Sequence, residues 1–166
     1  MQALTPADVQ AALDRFGFDI QIRFFEDSTA TSQLAADAIG CELGQIAKSI
    51  CFLVEDKPVV VVASGDQRVD DRKLAAHFNV SRKRIKVATA EQCLELYGYA
   101  PGGVPPLAYR TPGVISLLDD SLQRYEQIFA AGGAHNAIFP LTIAQLVTVT
   151  GGTFIDTKRD AAAPSE

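Results

Sequence analysis

Small and apolar positions recur at helical spacing along five stretches of the chain, and shorter β-branched runs of strand length lie between them. The first helix is signalled by Thr5 as N-cap, Pro6 at the first helical position and Asp8 three residues after the cap. Val9, Ala12, Leu13 and Phe16 follow on one face, and Gly17 ends the pattern. From Ile20 to Phe25 the period shortens to two, with Ile20, Ile22 and Phe24 set against Gln21 and Arg23, which predicts a half-buried strand. A second helix is expected from about Ser32 to Ile39, capped by Thr31 or Ser32, closed by Gly40, and carrying a small-residue face of Ala35, Ala36 and Ala38. The apolar runs Ala47–Val54 and Val59–Ala63, separated by Glu55, Asp56, Lys57 and Pro58, read as a hairpin at the centre of a sheet.

Further along, a third helix is expected from near Asp70 through Leu74, Ala75 and Phe78 to Asn79, followed by a short strand at Ile85–Val87. The capping-box spacing of Thr89 and Gln92 opens a fourth helix, through Leu94 and Leu96, that Gly98 stops. The next segment, GYAPGGVPPLAYRTPG, holds four Gly and four Pro in sixteen residues, too many breakers for the interior of an element. Strands are then expected at Val114–Leu118 and Tyr125–Ala130, a turn at Gly132-Gly133, and a strand at Ala137–Phe139. A short helix from near Thr142 with Ile143, Leu146 and Val147 precedes a last strand at Thr153–Ile155 and a frayed AAAPSE tail. Irregular alternation of helices and strands with at least one hairpin predicts an α+β fold with a mixed sheet rather than a doubly wound dinucleotide fold. GxGxxG and GxxxxGK[ST] do not occur.

With 166 residues, 48% hydrophobic and 21% charged, the chain has enough apolar material for one substantial core, so one domain over residues 1–166 is expected. The sequence shows no basic leader followed by an apolar segment and no bilayer-length apolar run, so a soluble, cytoplasmic protein with no membrane partner is expected. Cys41, Cys51 and Cys93 are odd in number and widely spaced, which suits buried thiols better than disulfides or a zinc site. No metal or cofactor is expected. A net charge of −5 argues against tracking a long nucleic-acid backbone, and no DNA partner is expected. The run Arg82, Lys83, Arg84 and Lys86 is compatible with a small phosphate-binding patch or with a solvated loop.

Three features carry candidate chemistry. Lys48 opens an apolar strand whose same-face neighbours are Ile50, Phe52 and Val54, so its ammonium must reach solvent, a partner or a ligand. The Gly102-Gly103-Val104-Pro105-Pro106 turn offers main-chain amides in a rigid setting that suits an oxyanion, or it is a plain wide loop. Gly132-Gly133-Ala134-His135-Asn136 is a glycine-rich turn leading into a strand; His135 there is either a base or hydrogen-bonded structure, and His77 is read as structural. No GxSxG elbow is present, and neither histidine is signalled as the partner of a nucleophile.

The segments AADAIGCELGQIAKSICFLV, VVVVASGDQRVDDRKLAAHF, GYAPGGVPPL and AAGGAHNAIFPLTIAQL, in this order over about residues 30–150, resemble the YbaK/EbsC, prolyl-tRNA synthetase-associated editing domain family. The resemblance implies a single domain with a mixed, mostly antiparallel sheet or partial barrel flanked by helices. It implies a trans-editing deacylase that hydrolyses the ester of a mischarged small amino acid, such as Cys or Ala, on tRNA-Pro. The implied partners are the acceptor end of aminoacyl-tRNA and prolyl-tRNA synthetase. The implied site has Lys48, Gly102 and Gly103 as catalytic groups, and Val104, Pro105, Pro106, Gly133 and Asn136 against the substrate. Arg82, Lys83 and Arg84 are then available for tRNA. The family is thought to work without a protein nucleophile, through a positioned water or a group of the substrate itself. A noncatalytic tRNA- or synthetase-binding module of the same fold is the alternative.

Overall fold

The computed structural model describes residues 2–160, so the AAAPSE tail lies outside the described residues. Five helices, α1 (Pro6–Arg15), α2 (Ser32–Ile39), α3 (Asp71–Phe78), α4 (Ala90–Gln92) and α5 (Ile143–Thr150), flank one mixed sheet. Its strands are β1 (Arg23–Phe24), β2 (Ile46–Val54), β3 (Lys57–Ser64), β4 (Ile85–Val87), β5 (Ile115–Asp119), β6 (Gln127–Ala131), β7 (Ala137–Thr142) and β8 (Thr153–Ile155). The order β1-β7-β6-β2-β3-β5-β8, with β4 also on β2, leaves the sheet open. Four pairings are antiparallel and three parallel.

The central hairpin explains both core layers. Val60 and Val62 of β3 join Ala47 and Cys51 of β2 beneath α1 and α5, whereas Val59 and Val61 join Phe52 and Val54 against Leu74 and Ala75 of α3. Being buried on both faces, these strands carry near-continuous apolar runs instead of an alternation. The connection is a two-residue turn, with Glu55 and Asp56 at φ 49° and 67°, and not the four-residue break the sequence suggested. Pro58 falls within β3, opposite Leu53, one residue before the pairing with β5 begins at Val59↔Ile115. Its missing N–H therefore costs the ladder nothing there.

Three expected elements differ. Only Arg23 and Phe24 of the predicted Ile20–Phe25 strand pair with β7, because the Gln10 side chain takes the Ile22 N–H (3.0 Å) and donates to the Ile20 carbonyl (2.8 Å). A side chain has replaced the neighbouring strand, and Phe24 on the sheet edge is 64% exposed. The expected Tyr125–Ala130 strand begins later, at Gln127, after a 3₁₀ turn over Asp120–Arg124. The fourth helix continues from α4 into a π-helical turn, Cys93–Tyr97, before Gly98 closes it. That turn drives Tyr97 into the core, where its hydroxyl lies 2.7 and 3.0 Å from the Phe52 and Val59 carbonyls. No helix among the described residues is long and apolar enough to cross a membrane.

Candidate functional site

β3 pairs with β2 from Ala47↔Ser64 to Val54↔Lys57, but the other side of β2 is shared between two strands. There β6 runs parallel to it only at Ile46↔Phe129 and Ala47↔Ala130, and β4 takes over at Phe52–Val54. Between these contacts the sheet is split. The Gly65 N–H donates to the Ile46 carbonyl (2.7 Å), so even positions of β2 turn their main-chain groups towards β3 and odd positions turn them away. The Ala88 N–H on the Cys51 carbonyl (2.9 Å) follows the same alternation. The main-chain groups of Ser49 accordingly face the split.

A cavity of about 280 Å³ occupies this place. The N-terminal turn of α2 and the residues ahead of it, Thr29 to Ser32, form one wall and Ile46 to Ser49 another; Phe129 to Ala131 with Ile138 form the floor; Gly102, against Ala30, and Val104 complete the lining. The α2 turn is there because Thr31 caps the helix, its hydroxyl accepting from the Leu34 N–H at 3.1 Å. The segment before it is tied down by the His135 carbonyl, which accepts from the Thr29 N–H (2.6 Å) and hydroxyl (3.1 Å).

Lys48 is half-buried on the cavity wall, and its ammonium donates to the Gln67 carbonyl. Burial pushes its pKa below the ordinary lysine value, the positive Arg68 acts in the same direction, and Asp66 opposes them. Ser49 Oγ is buried without a hydrogen-bond partner among the described residues.

The glycine/proline turn divides. Gly102, at φ +90°, lines the cavity and lies so close to Ala30 that a Cβ would come within 2.9 Å of that residue's Cβ. Val104 lines it too. Gly103 does not: its N–H donates to Ala100 (3.1 Å) and its carbonyl accepts from Gly133 (3.0 Å), so that amide is committed within the fold. Pro105 and Pro106 lie buried outside the cavity lining, and the Pro105 carbonyl accepts from the Tyr109 hydroxyl (2.8 Å). Gly133 packs on the start of α1, where a Cβ would meet Val9 at 2.9 Å. Asn136 donates from Nδ2 to the Phe25 carbonyl (3.0 Å). These last residues brace the walls without forming them. His135 acts there through its main chain, and His77 meets Phe78 edge-on.

Arg82, Lys83, Arg84 and Lys86 are exposed at the far end of β2, beside the hairpin turn. Arg82 is paired with Asp71 (2.9 Å). The carboxylates of Asp119, Asp120 and Asp156 converge to within 4.8 Å, but Lys158 supplies their counter-charge, lying 3.2 Å from Asp156 and 4.0 Å from Asp119. Sequence reasoning did not single out Thr29 to Ser32, Ser49 or Phe129 to Ala131 as a lining. The density of hydroxyls in Ser28-Thr29-Ala30-Thr31-Ser32 ahead of a helix was the available signal.

The fold is shared with known proteins. The model of the aminoacyl-tRNA editing domain matches residues 26–149, and the chain belongs to that family. The YwhH protein of Bacillus subtilis (strain 168), itself uncharacterised, is 36% identical over 124 residues, covering 74% of this chain and 76% of that protein. Proline–tRNA ligase of Staphylococcus aureus (strain Newman) is 30% identical over 77 residues, 46% of this chain but only 13% of the ligase. A crystal structure of a candidate trans-editing enzyme for prolyl tRNA synthetase superposes with a TM-score of 0.87 at 35% identity, covering 96% of this chain and all of the other.

Proposed function

We propose that the protein is a trans-editing aminoacyl-tRNA hydrolase that cleaves the ester of a mischarged small amino acid, cysteine, alanine or one of similar size, on tRNA-Pro. One observation carries this reading: a partly desolvated lysine ammonium lies on the wall of a cavity otherwise lined by small, hydroxyl-bearing and apolar side chains. At about 280 Å³ the cavity lies below the range of roughly 300 to 1,000 Å³ common for drug-sized ligands. That leaves room for an aminoacyl group. Lys48 suits a point contact with the terminal phosphate or the carbonyl region. In this reading the Gly102 turn and the main chain of Ser49, both on the cavity lining, orient the ester.

Hydrolysis then needs a water to add to the carbonyl carbon, oriented by the site or by a hydroxyl of the substrate itself; where a substrate thiol adds first, the cyclic thioester it forms is opened by a water afterwards. The bond to the ribose oxygen breaks, that oxygen takes up a proton, and free amino acid and tRNA leave. Proximity and preorganised dipoles carry the rate, so a protein nucleophile is not required. The acceptor end of the tRNA and prolyl-tRNA synthetase are the proposed partners, with Arg82, Lys83 and Arg84 meeting phosphates farther along the acceptor. The test is a deacylation panel of Ala-, Cys- and Ser-tRNA. Release above the spontaneous rate that depends on Lys48 supports the reading, whereas spontaneous rates throughout, or a fully active Lys48→Ala, would sink it.

A further inference from the structure

The acceptor of the Lys48 ammonium is a main-chain carbonyl, Gln67, in a turn that immediately follows β3. The turn is closed by the Gln67 N–H on the Ser64 carbonyl (3.0 Å) and tied to β2 by the Gly65 N–H on Ile46. A carbonyl in a turn is only as well placed as the turn. Arg124, some sixty residues away in sequence, holds this one from outside. Its Nη1 and Nη2 donate to the Asp66 carboxylate at 3.1 and 2.8 Å, Nη2 also donates to Ser64 Oγ at 2.8 Å, and Nε donates to the Ser121 carbonyl at 2.7 Å. The guanidinium also lies 5.1 Å over the Tyr125 ring. Behind the turn there is no slack: a Cβ on Gly65 would lie 2.5 Å from the Leu43 carbonyl and 2.9 Å from the Ser32 Cβ, and Ser32 lines the cavity. Between Arg124 and the start of α2, the Ser64–Gln67 turn is wedged.

We propose that Arg124 is a positioning residue for Lys48, fixing through the Ser64–Gln67 turn the carbonyl that aims its ammonium along the cavity wall. The functional meaning rests on the hydrolase reading above; the positioning itself does not. Only a planar fork makes these contacts together, and a lysine at 124 keeps the charge without them. The side chains of Arg124 and Asp66 are 42% and 31% exposed, and a pair this open contributes little to global stability, so loss of aim is separable from loss of fold.

The test reads Lys48 directly, by reductive methylation over a pH series with mass spectrometry, in the wild type, Arg124→Ala and Arg124→Lys. In Arg124→Ala the midpoint for Lys48 should move up towards an ordinary lysine. The amine gains water, and Asp66, which with Arg68 faces Lys48, loses its guanidinium partner. Arg124→Lys should move it in the same direction by less, and that variant carries the test if Arg124→Ala does not fold. In the deacylation assay kcat should fall about tenfold to a hundredfold, with KM within about twofold. An unchanged midpoint in a folded variant overturns the proposal whatever the activity, and an unchanged kcat in an active protein overturns it too. A wild type inactive on every aminoacyl-tRNA defeats the hydrolase reading and leaves the labelling to decide the role of Arg124.

Discussion

The two ends of β2 carry cations in opposite ways. At its start a single lysine is half-buried on a cavity wall, held by one carbonyl in a wedged turn. At its far end, about 17 Å away by strand rise, Lys83, Arg84 and Lys86 are exposed around a depression that also contains Glu55 and Asp56. Counting charges along the sequence directs attention to the second region. Burial and geometry direct it to the first, because a charge displaced from water interacts more strongly with whatever is brought to it.

This contrast breaks most sharply at Lys48. Lys48→Ala should cut deacylation of the best aminoacyl-tRNA by about a hundredfold or more, with the thermal midpoint held or raised because a partly desolvated cation is lost. Near-normal turnover would put the two ends of β2 on an equal footing. Gly102→Ala comes next: it forces a residue with a Cβ to φ +90° and drives that Cβ to 2.9 Å from Ala30. It should cost about 1–3 kcal/mol in chemical denaturation and lower kcat/KM as the wall shifts.

The effect of burial on charge can be checked away from the cavity. Asp119 is fully buried; burial raises its pKa, but hydrogen bonds from Ser121 and Thr157 outweigh that and hold it below the ordinary 3.8. Its contribution to stability is therefore present above pH 3.8 and is lost as pH falls through the lower folded value. Asp119→Asn should destabilise by about 1–3 kcal/mol at neutral pH, with the gap closing in acid; a gap independent of pH would contradict the assignment. The smallest effect is expected from the exposed end. The triple change Arg82→Glu, Lys83→Glu, Arg84→Glu should weaken tRNA binding severalfold at low salt, fading as salt rises. Equal affinity at every salt concentration would leave that run as solvated surface.

Where partners are close in sequence, the fold was legible. Thr31 before α2 and Gly40 after it announce both ends of that helix, and the β2–β3 hairpin follows from two apolar runs and a short polar interval. Gln10 taking over the hydrogen bonds of Ile20 and Ile22 left no trace in the two-residue period, which depends only on apolarity. The family resemblance drew attention to Lys48 and the Gly102 turn; it also named Gly103 a catalytic group and put Gly133 and Asn136 against the substrate, and it gave no sign of the hydrogen bonds these three make within the fold. Arg124 ends the short Asp120–Arg124 turn, and its partners Ser64 and Asp66 are some sixty positions away. Nothing in the local sequence marks such a contact.

The shared flank of β2 also bears on the order in which the chain matures. β2 and β3 are neighbours in sequence and can zip as soon as both exist, whereas β6 must return across some eighty residues to meet Ile46 and Ala47. A nascent chain that has emerged as far as β5 already contains Lys48 and the Gly102 turn but lacks Phe129 to Ala131 and Ile138, and with them the cavity floor. The cavity is thus among the last features to form, completed only when β6 docks on β2.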